Sequence, residues 1–132
     1  MISQTAEYAL RAMVCLASRE AEALPGHVIA QITQVPASYL HKIMKQLVHA
    51  ELVSSQRGPS GGFRLTRPSS QITVLDVIMA VDPIKRISHC PLNLPEHAHS
   101  LCPLHRRIDD TIGQACDAFS QTSLQSMIEN QS

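Results

Sequence analysis

Aromatic residues are scarce in this 132-residue chain: two Tyr, two Phe and no Trp, 3% in all. Its core must therefore be filled by Ala, Val, Ile, Leu and Met, which suits helices packed on helices. No apolar run approaches the roughly 18 residues that a membrane span requires. No basic segment leads into an apolar run near the N-terminus, so no secretory signal is read and a cytoplasmic location is expected. A CxxC pair, a nucleotide-binding glycine motif and a catalytic-triad pattern are also missing, which leaves an enzyme or redox carrier without support. Net charge is absent too, since eleven Lys and Arg balance eleven Asp and Glu. Taken alone, that neutrality speaks against a nucleic-acid partner.

The distribution of charge reverses that reading. Residues 1–70 carry net +3 and residues 71–132 net −3, while 36–67 hold five basic residues and one acidic. A local basic patch can neutralise phosphates while the rest of the molecule offsets it. At this length, with 44% hydrophobic residues, one domain with an appended helix is expected.

Apolar periodicity predicts a first helix over 3–19, with Ser3 as its cap and Ala6, Ala9, Leu10, Met13, Val14 and Ala17 on one stripe. A connection over 20–26 leads to a short helix near 27–33. Pro36-Ala37-Ser38 turns into a third helix over 37–49, whose buried stripe is Leu40, Ile43, Met44, Leu47 and Val48. Ser38, His41, Lys42, Lys45 and His49 remain on its outward face. Two short helices joined by a tight turn form a helix-turn-helix pattern, one that any helical corner can imitate.

The segment immediately after the third helix makes the pattern specific. Arg57-Gly58-Pro59-Ser60-Gly61-Gly62-Phe63-Arg64-Leu65 reads as a tight turn between strands over 52–56 and 63–66, with an arginine on either side. The expected fold is mainly α with a small β-hairpin: a winged helix-turn-helix over 1–81, a loop over 82–103, and a long C-terminal helix and tail over 104–132. A fourth helix is predicted over 74–81, capped by Thr73; a fifth over 104–119; and a short one over 124–128. The fifth helix has an apolar stripe of Leu104, Ile108, Ile112, Ala115 and Phe119, with little chain left to cover it, so a dimer is expected, with packing inside one subunit as the alternative.

On this reading the partner is double-stranded DNA. Lys42, Lys45, Arg57, Arg64 and Arg67 are candidates for phosphate contact. Ser38, Tyr39, His41 and Lys42 are candidates for base reading, and the wing tip from Arg57 through Ser60 to Arg64 for the adjacent minor groove. Tyr39 has an alternative, packing beneath its own helix.

Four cysteines remain. Cys15 and Cys116 fall within helices and are expected to fill the core. Cys90 and Cys102 sit in the Pro- and His-rich loop, flanked by His89, His97, His99 and His105. Thiolates with imidazoles suit an iron–sulfur cluster or zinc.

Thr5-Ala6-Glu7-Tyr8-Ala9-Leu10-Arg11, Ser38-Tyr39-Leu40, Leu52-Val53, the Arg57–Phe63 turn, Ile72-Thr73-Val74-Leu75-Asp76-Val77 and Cys102-Pro103-Leu104-His105 together resemble the Rrf-two family of bacterial winged-helix transcription regulators. The resemblance covers about residues 1–128. It implies a homodimer held by the fifth helix and a palindromic operator. Many members carry a labile iron–sulfur cluster that senses redox poise, nitric oxide or cluster supply; others carry none and respond to a protein partner or small ligand.

Cluster-binding members usually place three cysteines in the loop. Cys90 and Cys102 match the outer two, and Glu96 stands at the middle position. By resemblance, His105 matches one ligand position, and Glu7 matches a carboxylate ligand supplied by the other subunit. The first-helix histidine of a two-cysteine, two-iron type is Arg11 here, so His105 would substitute for it. The resemblance implies a two-iron cluster on Cys90, Cys102, His105 and Glu7, with mononuclear zinc or iron, or no metal, as alternatives. Two further departures are His41, often acidic in one branch, and Glu51, usually Gly.

Overall fold

The computed structural model describes residues 2–88 and 101–129. Among these residues six helices and one hairpin occur in order: α1 (Gln4–Ala17), α2 (Gly26–Thr33), α3 (Ala37–His49), β1 (Val53–Gln56), β2 (Gly62–Leu65), α4 (Val74–Val81), α5 (Pro103–Ser120) and α6 (Leu124–Glu129), with a 3-10 turn over Ser69–Gln71. Every predicted element is present, with ends displaced by no more than two residues.

α1 is the axis of the core. Ala6, Ala9 and Ala12 are fully buried, and their small side chains let α3 and α4 approach closely around Met13 and Leu16. Ser3 caps the helix, its Oγ accepting the Ala6 N–H at 3.1 Å. Thr73 caps α4 reciprocally: its hydroxyl accepts the Asp76 N–H, and the Asp76 carboxylate accepts the Thr73 N–H, both at 3.0 Å. α6 returns to this core rather than trailing away. Leu124 is fully buried, and its N–H donates to the Ile72 carbonyl at 2.9 Å.

The hairpin pairs antiparallel, Val53 with Leu65 through Gln56 with Gly62. A third extended segment joins it from the α1–α2 connection. Leu24 and Phe63 exchange both backbone hydrogen bonds, at 2.9 and 2.8 Å. That close approach explains Gly62, at φ 146°, where an added Cβ would collide with the Leu24 carbonyl.

α3 ends in a left-handed residue, Glu51 at φ 63°, and the Leu52 N–H reaches back to the Leu47 carbonyl at 3.1 Å. This is the helix stop that glycine ordinarily makes. Glu51 therefore keeps the geometry and accepts the strain. Among the described residues no helix is long and apolar enough to cross a membrane.

Candidate nucleic-acid interface and a cysteine–histidine pair

α3 buries Leu40, Ile43, Met44 and Leu47 to 2% exposure or less, which turns the opposite face outward. Ser38, His41, Lys42, Lys45 and His49 are all exposed there, as the periodicity predicts. The first turn carries no acidic residue, so its unpaired N–H groups and partial positive charge face solvent unopposed. Tyr39 is 54% exposed rather than packed beneath α3, and its ring meets Tyr8 of α1 edge-on. Tyr39 and Lys42 also line a cleft of about 270 Å³ with Thr5, Gln46 and Asp82.

The hairpin follows α3 directly, and Phe63 of β2 lines a cleft with Ala37, Leu40, His41 and Met44. The Gly61 N–H closes the turn on the Gly58 carbonyl at 2.9 Å, and Gly58 takes φ 107°. Arg57 and Ser60 are exposed at the tip. Lys42, Lys45 and Arg57 make no ion pair among the described residues.

Two arginines expected near phosphates also make contacts within the fold. Arg64 stands opposite Ser54 and donates from Nη2 to the Ala21 carbonyl at 2.7 Å, fastening the hairpin to the α1–α2 connection. Arg67 donates to the Gln71 carbonyl at 3.2 Å and pairs with Asp76 at 3.4 Å. Sequence alone could not find these ties, because their partners are backbone carbonyls or a residue nine positions away.

At the start of α5, Cys102 is the cap and Pro103 the first helical residue. Cys102 Sγ accepts the His105 N–H at 3.5 Å and lies 2.9 Å from His105 Nδ1. The two donors expected from the Cys102-Pro103-Leu104-His105 run thus meet. Cys90, His89, Glu96, His97 and His99 lie outside the described residues. Glu7 is exposed on α1, paired with Arg11 at 3.1 Å. Among the described residues no three of His, Cys, Asp and Glu gather as a metal site. The donors present therefore fit half of a thiolate–imidazole centre.

The other cysteines differ from each other. Cys15 is buried in the core as expected, and burial pushes its thiol pKa up. Cys116, also expected in the core, is only half-buried on α5. The reason is that α5 covers so little: among its residues only Gly113 is buried, while Leu104 is 64% and Ile108 41% exposed. Sequence reasoning also missed what anchors α5. Arg86 grips both Asp109 oxygens at 2.8 Å, and the Ile87 N–H donates to the same carboxylate at 2.8 Å. The Arg86 hydrogen bond and the Ile87 N–H together hold the Asp109 pKa down to about 2.

The sequence profile of the Rrf2 family, described as "Iron-dependent Transcriptional regulator", matches residues 2–130. The chain belongs to the Rrf2 family. It is similar to the HTH-type transcriptional regulator IscR of Photorhabdus laumondii, 30% identical over 131 residues, covering 98% of this chain and 80% of the relative. The structure of CymR (YrzC), the global cysteine regulator of B. subtilis, superposes with TM-score 0.78 at 26% identity, covering 98% of this chain and 97% of that one. IscR of T. potens has the same fold, TM-score 0.79 at 20% identity, over 100% of this chain and 88% of that one. The Rrf2 family consists of DNA-binding transcriptional regulators, not enzymes, and the winged helix-turn-helix with its long C-terminal helix is the fold of this chain.

Proposed function

We propose that this protein is a homodimeric regulator that grips a palindromic operator with α3 and the hairpin tip, and that its signal enters at the Cys102–His105 pair. The observation that carries the DNA reading is the outward face of α3, with Lys42 and Lys45 exposed and unpaired, together with the exposed Arg57 of the wing tip. Ser38, Tyr39 and His41 take the base edges, and Ser60 sits at the minor-groove side of the wing. The uncovered apolar residues of α5, Leu104 and Ile108, support dimerisation through that helix. A variant with Lys42, Lys45 and Arg57 all changed to Gln is expected to lose DNA retention with its fold intact. Retention unchanged from the wild type refutes the reading.

For the signal, Cys90, Cys102 and His105, with Glu7 from the second subunit, would hold a two-iron cluster. When bound, such a cluster supplies a redox-variable charge at the foot of α5. The Cys102–His105 contact and the family's iron-dependent description support this. A cluster-free regulator controlled by a protein partner, a small ligand or a mononuclear metal such as zinc is the second reading. It is favoured by the likeness to CymR, a cysteine regulator, and by the Glu7–Arg11 pair, which engages the fourth proposed donor within its own helix. Iron and acid-labile sulfide measured on anaerobically purified protein, with its visible spectrum, decide between them. Absence of all three signals refutes the cluster.

A further inference from the structure

Tyr8 lies half-buried on α1, and its ring approaches that of Tyr39 edge-on, with centroids 6.1 Å apart and planes at 62°. This geometry sets the positive ring edge against the negative ring face and adds to simple burial. Tyr8 is itself held. Gln4 Nε2 donates to its hydroxyl at 2.8 Å, and the Arg11 guanidinium lies 5.6 Å from its ring centre. Arg11 is anchored in turn by Glu7 at 3.1 Å and by the Thr33 carbonyl at 3.5 Å. Tyr39, by contrast, makes no hydrogen bond among the described residues and is 54% exposed on the first turn of α3. Without an external constraint a ring in that position is free to exchange between staggered rotamers. The contact from α1 selects one of them.

We propose that Tyr8 is a positioning residue for DNA recognition: it holds the Tyr39 ring in the orientation that α3 presents to base edges, and Gln4 and Arg11 hold Tyr8. The inference rests on the reading of α3 as the groove-entering helix. It assigns to α1 a part in sequence discrimination that involves no contact with bases.

The test uses the full chain and two duplexes: one enriched from a random-sequence library by the wild-type protein, the other a scramble of the same composition. Fluorescence anisotropy gives the affinity ratio of selected over scrambled DNA. Tyr8→Leu keeps apolar bulk but removes the aromatic edge, and is expected to lower that ratio about two- to twelvefold for each subunit of the dimer, leaving scrambled-duplex affinity and salt dependence unchanged. Tyr8→Phe keeps the ring and its contact with Arg11 but loses the Gln4 hydrogen bond, and is expected to reduce the ratio less than Tyr8→Leu does. Tyr8→Leu combined with Tyr39→Leu should be no worse than Tyr39→Leu alone. The proposal is overturned if the two losses multiply, if both duplexes weaken equally, or if Tyr8→Leu leaves intact a ratio that Tyr39→Leu reduces. If Tyr8→Leu does not fold, Arg11→Gln on the exposed side of the stack decides: a reduced ratio supports the proposal and an unchanged one overturns it. A ratio indifferent to Tyr39→Leu removes instead the underlying reading of Tyr39 as a base-contacting residue.

Discussion

Replacing single cations separates those that face DNA from those that hold the fold. Each cation neutralising one phosphate contributes about 0.9 to the slope of log affinity against log salt concentration. Lys42 is exposed and makes no ion pair among the described residues. In a dimer, Lys42→Gln removes two such contacts, so the slope should fall by about 1.8. With affinity at 1 M salt unchanged, that is roughly a 60-fold loss at 0.1 M. Lys45→Gln and Arg57→Gln should behave alike. Arg67 is the internal control, because its guanidinium is already engaged by Gln71 and Asp76. Arg67→Gln should leave the slope unchanged and cost under about 1 kcal/mol of stability, as expected for a partly exposed pair. Anisotropy titrations between roughly 50 and 300 mM salt read the slopes. Equal slope losses in Arg67→Gln and Lys42→Gln, or no loss in Lys42→Gln, would refute the reasoning.

Two further predictions concern stability. Glu51→Gly relieves a left-handed backbone conformation at the end of α3 and should raise stability by about 0.5–1 kcal/mol after the added freedom of the unfolded chain is subtracted, read as a higher midpoint in urea. Asp109 is held at about 2 by Arg86 and the Ile87 N–H, below the ordinary carboxylate range, so its contribution is complete above about pH 4 and fades as pH falls through 2. Asp109→Asn should therefore remove part of the acid sensitivity of unfolding between those values, monitored by circular dichroism, while lowering stability at neutral pH.

Most of the fold was legible because local signals agreed with one another. The α3 stripe of Leu40, Ile43, Met44 and Leu47 has helical spacing, and Thr73 with Asp76 sits at capping distance before an apolar run. The turn around Gly58 and Pro59 could serve little but a hairpin. The contacts that escaped have partners distant in sequence. Leu24 pairs with Phe63 across 39 positions, yet one residue of strand in a short connection leaves no period to detect. Arg86 grips Asp109 across 23 positions, and neither side chain is distinguished by type from other surface charges. Of the candidate site, the exposed cations of α3 could be read from periodicity. The ties of Arg64 and Arg67 could not, because an arginine beside a turn looks the same in sequence whether its fork faces water or a carbonyl.

Ion pairs within the fold show why formal net charge is a poor guide to the local surface. Asp76 and Asp109, two of the seven acidic residues after position 70, are occupied by Arg67 and Arg86 within the fold, and Glu7 near the N-terminus by Arg11. Each such pair is close to neutral beyond the screening length, about 8–10 Å at physiological salt. Lys42 and Lys45 on α3 and Arg57 on the wing stay exposed and make no ion pair among the described residues. On the proposed reading phosphates would meet these local charges rather than the molecular total, so the formal net charge is the wrong quantity from which to judge affinity for DNA.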